Sequence, residues 1–346
     1  MKKSIITLLA GPVLAGLLLA PTAATSQEFT FRLHTFVPPI ANPFKYFLKP
    51  WADKIAKESK GRIKVQLYPA MQLGGKPTQL LDQVRDGVVD IVWVLPGFTP
   101  GRMPKIETFE LPFVHRDVRS TVMALQDFQD KYLKDELKDY KVLLIHATEG
   151  FLFMTKRPIT KMEDLKGMKL RGASRTGVWT LEALGVSAIG TPLPQLPPML
   201  AKGTVDGSLL PYEIAPAVKM QELVNYFTVL SPPQQRLGTV VFTFLMNKNS
   251  YAKLPPDLKK VIDDNSGRKL APMAAKVWHD IEVRGEAVMH TKKKNHFNTL
   301  SPAETAKIKA ASKPVYDRFF AEMKKLGFDG EQMLADARAM IEKYAK

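Results

Sequence analysis

Between Phe29 and Leu95 the chain switches repeatedly between a two-residue and a helical hydrophobic period, and this alternation restricts the fold more than any other feature. Phe29 to Phe36 (FTFRLHTF) reads as a strand that stops at Val37-Pro38-Pro39. Asn42 to Ser59 places Phe44, Phe47, Leu48, Trp51 and Ile55 on one helical face, and Gly61 follows as a stop. Arg62 to Tyr68 is a second strand, Thr78 to Asp86 a second helix, and Asp90 to Leu95 (DIVWVL) a third strand. That order predicts an α/β unit built on a mainly parallel sheet.

The pattern resumes after a loop rich in Pro and Gly, Pro96 to Pro112. A helix from Val118 to Leu137 leads into a strand, Lys141 to His146. A second α/β region opens at Thr160-Lys161-Met162-Glu163, which has capping-box spacing. Strands at Met168 to Gly172 and Ser187 to Thr191 flank a helix from Thr176 to Leu184, and Phe227 to Leu230 and Thr239 to Asn247 are further strands. Beyond Pro255-Pro256 the chain is helical almost to its end, with Pro272 expected to kink or interrupt a long helix. Ser301-Pro302-Ala303-Glu304 is a second capping box with Pro at the first helical position. No repeat or low-complexity linker separates the two regions, so two lobes joined by crossing strands, with a cleft between them, are expected.

Residues 1–26 combine a basic start (Lys2, Lys3), an apolar run from Ile5 to Ala20 and a small-residue region, Thr22 to Ser26. This is the pattern of a secretory signal peptide. Its removal leaves 320 residues, enough for about two domains. The sequence has no cysteine. Disulfides, thiolate metal sites and a cysteine lipid anchor are therefore excluded, and an exported, soluble periplasmic protein is expected. The net charge of +16, or +14 without Lys2 and Lys3, favours anionic partners. Nucleic acid is not expected as one of them, because the chain is exported and its Lys runs at 259–260 and 292–294 lack interleaved aromatics.

Arg171, lifted to the end of the strand MKLRGA, is the leading functional candidate. A guanidinium matches a carboxylate with two parallel donors, so one arginine in a dry cleft can orient an acid; pairing with a nearby Asp or Glu is the structural alternative. His34 and His146 sit near strand ends, where a histidine more often serves the fold. None of the six histidines has metal-ligand spacing. There is no GxSxG elbow and no GxGxxG after a strand, and the Gly74-Gly75-Lys76-Pro77-Thr78 echo of a phosphate loop lacks its upstream glycine. Neither an enzyme nor a metal or cofactor is expected. Phe36, Trp93, Phe98, Phe151 and Tyr212 could wall a pocket for a partly apolar ligand.

Several of these segments, taken in order, resemble the DctP-like solute receptors of tripartite ATP-independent periplasmic (TRAP) transporters. They are Tyr68-Pro69-Ala70-Met71-Gln72-Leu73-Gly74-Gly75, Leu111-Pro112-Phe113, Arg157-Pro158-Ile159 through Asp164-Leu165-Lys166-Gly167-Met168-Lys169-Leu170-Arg171, and Lys202-Gly203-Thr204-Val205-Asp206-Gly207, spread over nearly the whole mature chain. The resemblance implies a two-lobed periplasmic-binding-protein fold, with a long helix near the C-terminus, that closes on an organic acid and delivers it to membrane permease subunits. It places the family's carboxylate-gripping arginine at Arg171. We place one lobe at 27–148 plus about 237–275 and the other at 149–236 plus about 276–346, and expect a monomer. Tyr212 and Glu213 would hydrogen-bond the far end of the ligand or a hydroxyl, while His34, Phe36 and Trp93 would add a hydrogen bond and apolar walls.

Two positions depart from better-known members. Leu152 stands where many carry a second arginine, and Leu210 where several sugar-acid binders carry asparagine. Both changes favour a smaller or more apolar carboxylate, aromatic ones included, over a heavily hydroxylated one. A C4-dicarboxylate receptor would need a second cationic grip from Arg102, Arg175 or Arg236. A secreted enzyme acting on an acid and a periplasmic interaction protein are the alternatives outside this class.

Overall fold

A computed structural model describes residues 28–345; the expected signal peptide, 1–26, lies outside them. Two sheets organise the chain. The first contains β1 (Phe29–Thr35), β2 (Ile63–Tyr68), β3 (Ile91–Val94), β4 (Tyr140–Ala147) and β10 (Val241–Asn247), in the order β2-β1-β3-β10-β4. The second contains β5 (Leu152–Thr155), β6 (Lys169–Gly172), β7 (Ser187–Gly190), β8 (Gly207–Leu210), β9 (Tyr226–Val229) and β11 (His296–Thr299), in the order β11-β9-β5-β8-β6-β7. The fold is two-lobed α/β.

The first sheet is less parallel than the opening alternation predicts. β1 pairs in parallel with β2 and β3, but β10 runs antiparallel to both β3 and β4. The reason is connectivity: β10 enters from the second sheet, after β9, and inserts between two strands laid down earlier. All seven of its residues are buried, consistent with the largely apolar run VFTFLM.

Two loop passages join the sheets, after β4 and before β10, and are tied together; the chain crosses a third time between β10 and β11 through a helical segment. Thr148 Oγ1 meets Thr239 Oγ1 at 3.0 Å, and the Phe151 N–H donates to Gly238 O at 2.7 Å. Gly150 (φ +107°) lies between them, and a Cβ there would sit 2.8 Å from both Gly238 O and the Arg236 side chain. Only glycine fits.

The helix Gly267–His290 spans both halves. It packs on the helix Val118–Tyr132 and β4 on one side and on the Ala215–Val218 and Met220–Leu223 turns on the other. Its buried face, Leu270, Ala274, Trp278, Ile281 and Gly285, follows helical spacing. Pro272 does not interrupt it. The helix Lys313–Lys325 packs on Arg175–Ala183, beside the second sheet, whereas the last helix, Gly330–Tyr344, lies on Val118–Tyr132, beside the first.

Two local expectations change in detail. At the first capping box Asp164, not Glu163, closes the turn: its Oδ2 accepts from the Thr160 and Lys161 amides and from Thr160 Oγ1. Only the single 3-10 turn Met162–Leu165 follows. At the second, Ser301 Oγ accepts from the Glu304 amide as expected, but the Glu304 carboxylate reaches instead to the Met162 amide.

Candidate ligand-binding site

Arg171 is placed by β6, which pairs with β8 (Arg171↔Ser208) and β7 (Arg171↔Ile189). Its side chain is 1% exposed and its Nε–H donates to Thr191 O at 2.8 Å. Among the described residues no carboxylate ion-pairs with it, and burial alone pushes its pKa down to about 9. A guanidinium so deeply buried without a counter-charge is costly. Such an arrangement suits a site whose anion comes from elsewhere.

The cavity beside Arg171 is small, about 30 Å³, well below the volume of a ligand pocket. Phe36, Trp93, Phe98 and Phe242 wall it from the first half, and Phe151, Leu193, Leu209, Leu210 and Ile214 from the second. Trp93 stacks on Phe242 (centroids 4.2 Å, planes 3° apart), and Phe36 lies nearly parallel to both, 5.7 Å from Trp93 (9°) and 6.5 Å from Phe242 (8°). Phe98 meets Phe36 edge-on at 5.0 Å. The Trp93 indole N–H donates to His146 Nε2 at 2.8 Å, which fixes the ring and leaves His146 Nδ1 to bond Ala147 O. Burial pushes the His146 pKa down to about 3, so the acceptor nitrogen stays unprotonated. These rings form a rigid, flat wall matched to a planar apolar body.

Glu213 also faces the cavity and is 2% exposed. Burial, and then the charge of Glu282, raise its pKa well above the ordinary carboxylate range. Glu282, in turn, accepts from the Glu213 amide (2.8 Å) and from Arg236 Nη2 (2.9 Å). Neither this pairing nor the part of Glu149 beside it was legible in the sequence, because the partners lie on the long helix and on the two loop passages between sheets.

Of the six residues singled out from sequence, Arg171, Phe36, Trp93 and Glu213 converge on the cavity; His34 and Tyr212 do not line it. His34 anchors the Tyr68–Gly75 turn, its Nδ1 bonding Gln83 Oε1 (2.8 Å) and its Nε2 accepting from the Leu73 amide (3.3 Å). Tyr212 turns away from the cavity to pack on Phe227, with the Arg236 guanidinium over its ring at 5.2 Å. Leu193, Val240 and Phe242 were missed as wall residues; the largely apolar run of β10 was the available sign for Phe242. Arg102, Arg175 and Arg236 are each paired, with Asp82, Glu107 and Glu282, and none lines the cavity. Among the described residues no cluster of side chains could hold a metal ion, and no helix is long and apolar enough to cross a membrane.

Two lobes, a cleft closed over one buried cation and a surrounding of aromatic rings define a solute-binding receptor. Residues 34–323 match the family described as bacterial extracellular solute-binding protein, family 7, the DctP family. The chain belongs to this family of periplasmic TRAP receptors, which bind small organic acids and work with a membrane permease; it is a receptor and not an enzyme. A marine-metagenome TRAP solute-binding protein specific for aromatic acids, solved with 3-hydroxybenzoate, is 42% identical, with a TM-score of 0.90 over 93% of this chain and 100% of that one. A TRAP solute-binding protein from Rhodoferax ferrireducens, solved with copurified benzoate, is 41% identical, with a TM-score of 0.89 over 91% of this chain and 98% of that one. Outer membrane transporter protein TsaT of Comamonas testosteroni is 28% identical over 92% of this chain and 94% of its own length.

Proposed function

We propose that this receptor captures an aromatic monocarboxylate. Arg171 clamps the carboxylate, and the Phe36, Trp93 and Phe242 rings hold the aromatic body. The observation that carries this reading is the buried Arg171 guanidinium, without a protein carboxylate, at the edge of a small cavity walled by aromatic rings. The benzoate and 3-hydroxybenzoate bound by two similar structures support the same ligand class. A dicarboxylate fits less well: the three other candidate arginines are committed to protein carboxylates, and the second ionisable side chain of the cavity is itself a carboxyl.

In the same proposal, residues 1–26 direct export and are removed, and the mature chain works as a periplasmic monomer with no nucleic-acid partner. The lobes divide at the two loop passages between sheets. On packing, the helix Gly330–Tyr344 moves with the first lobe rather than with the 276–346 block suggested by sequence.

Isothermal titration of the purified protein with benzoate, phenylacetate, succinate and malate tests the ligand class. Saturable binding of the aromatic acids, at least about tenfold tighter than either dicarboxylate, is expected. Tighter binding of succinate than of benzoate would overturn it.

A further inference from the structure

We propose that Glu213 is the specificity-determining residue of the pocket: it pairs with one neutral hydrogen-bonding group, a hydroxyl on the ring of the ligand, and disfavours a second anion there. The proposal rests on the aromatic-acid reading above and narrows it to hydroxylated aromatic monocarboxylates.

The geometry begins with how firmly Glu213 is held. Its N–H donates to Glu282 Oε2 at 2.8 Å and its C=O accepts from Asn42 Nδ2 at 2.9 Å, so the long helix and the first lobe grip the peptides on either side of the same residue. Gly285 lets the loop press onto the helix, since a Cβ there would lie 2.0 Å from Tyr212 O. A residue fixed on both sides of its backbone presents its side chain in one place, as selective recognition requires.

The second point is what that side chain lacks. Its Oε2 is buried with no hydrogen-bond partner; the Trp278 indole N–H beside it works to lower the carboxyl's pKa, but less than burial and the charge of Glu282 raise it. Buried polar atoms are ordinarily paired. Apart from Arg171, every other side chain facing the cavity is apolar or, like Trp93, already bonded elsewhere. A polar ring substituent therefore has Glu213 as its side-chain partner.

The third point is the form of the carboxyl. The charged groups packed around it are Glu282 on the long helix, Glu149 after β4, and Arg236 before β10, whose guanidinium is paired with Glu282. Three acids share one cation in a buried space, which favours the protonated form of Glu213. A neutral carboxyl has an O–H to donate and a C=O to accept. That matches a phenolic hydroxyl, which also does both, whereas a second carboxylate would add negative charge beside Glu282 and Glu149.

The test is titration calorimetry on the full-length mature protein with benzoate, its three monohydroxy isomers and isophthalate. For the wild type, the best hydroxybenzoate should bind at least about tenfold tighter than benzoate, and isophthalate more weakly than benzoate. In Glu213→Leu the best hydroxy isomer should bind within about threefold of benzoate, whatever the absolute affinities; Glu213→Gln, which retains a donor and an acceptor, should keep the wild-type ratio. An unchanged preference in Glu213→Leu, or none in the wild type, would overturn the role of Glu213 while leaving an aromatic-acid receptor in place. Failure of the wild type to bind benzoate or any isomer would overturn both.

Discussion

Arg171 illustrates what a single residue can disclose. A lone arginine at a strand end, with no nucleophile or metal ligand near it in sequence, pointed to anion binding, and the cavity is where that side chain is found. The residues that surround it were less legible. Glu282 and Gly285 belong to a helix some seventy residues beyond the Tyr212–Glu213 loop they fix, and nothing in their local sequence distinguishes a loop-holding helix face from an ordinary buried one. Gly285→Ala should show this: the methyl cannot fit against Tyr212 O, so the loop must shift, at a cost on the order of 1–3 kcal/mol in denaturant unfolding. Ligand affinity should fall with it. Wild-type stability in Gly285→Ala would mean that the loop has room the structure does not show.

At the scale of elements, segments marked by an apolar run or by strand–helix alternation were readable, four-residue strands such as β3, β6 and β7 included. β1, β2, β3 and the helix Val118–Tyr132 were all anticipated within a few residues. β5, β8 and β11 were not, because segments such as GSLL or HFNT lack both a period and a β-branched run, and their strand state depends on neighbours supplied by the tertiary fold. The contact between lobes was likewise invisible in sequence. Arg175 Nε meets Glu107 Oε2 at 2.6 Å, Thr176 Oγ1 donates to Glu110 Oε2 at 2.9 Å, and a Cβ on Gly97 would lie 2.6 Å from Ser174 Cβ. The loop after β3 thus closes directly onto the start of the helix Arg175–Ala183. Gly97→Ala places a methyl in that seam. A hinged receptor tolerates it when open and resists it when closed, so ligand should dissociate faster, with affinity at least about tenfold lower and the melting temperature of the ligand-free protein little changed. Unaltered dissociation in stopped-flow measurements would show that the seam does not move.

For the whole molecule, buried titratable groups make stability depend on pH in opposite senses. His115, fully buried between Thr121 Oγ1 (2.9 Å) and Glu149 O (2.9 Å), has its pKa pushed down to about 4 by burial. The unfolded chain takes up that proton near pH 6.5 and the folded one only near 4, so this contribution is complete above 6.5 and is lost as pH falls toward 4. Glu107 and Glu136, raised by burial to about 8 and about 7, act oppositely: the folded state holds their protons more tightly, and stability falls as pH rises past 4.5. Comparing the wild type with His115→Gln isolates the histidine. The gap between their melting temperatures should narrow from pH 7 to pH 4.5. A constant gap would mean that His115 is not held neutral.

The central claim, that one buried guanidinium holds the carboxylate of an aromatic acid, is tested most directly by titrating benzoate into wild type and Arg171→Met. Methionine fills similar volume without charge, so the fold should survive and even gain stability, because a buried cation with no protein counter-charge has been removed. Losing one partner of a buried charge pair costs about 2–5 kcal/mol, and benzoate affinity should fall by roughly thirty-fold or more. Affinity within about threefold of wild type, in a variant at least as stable, would contradict the account.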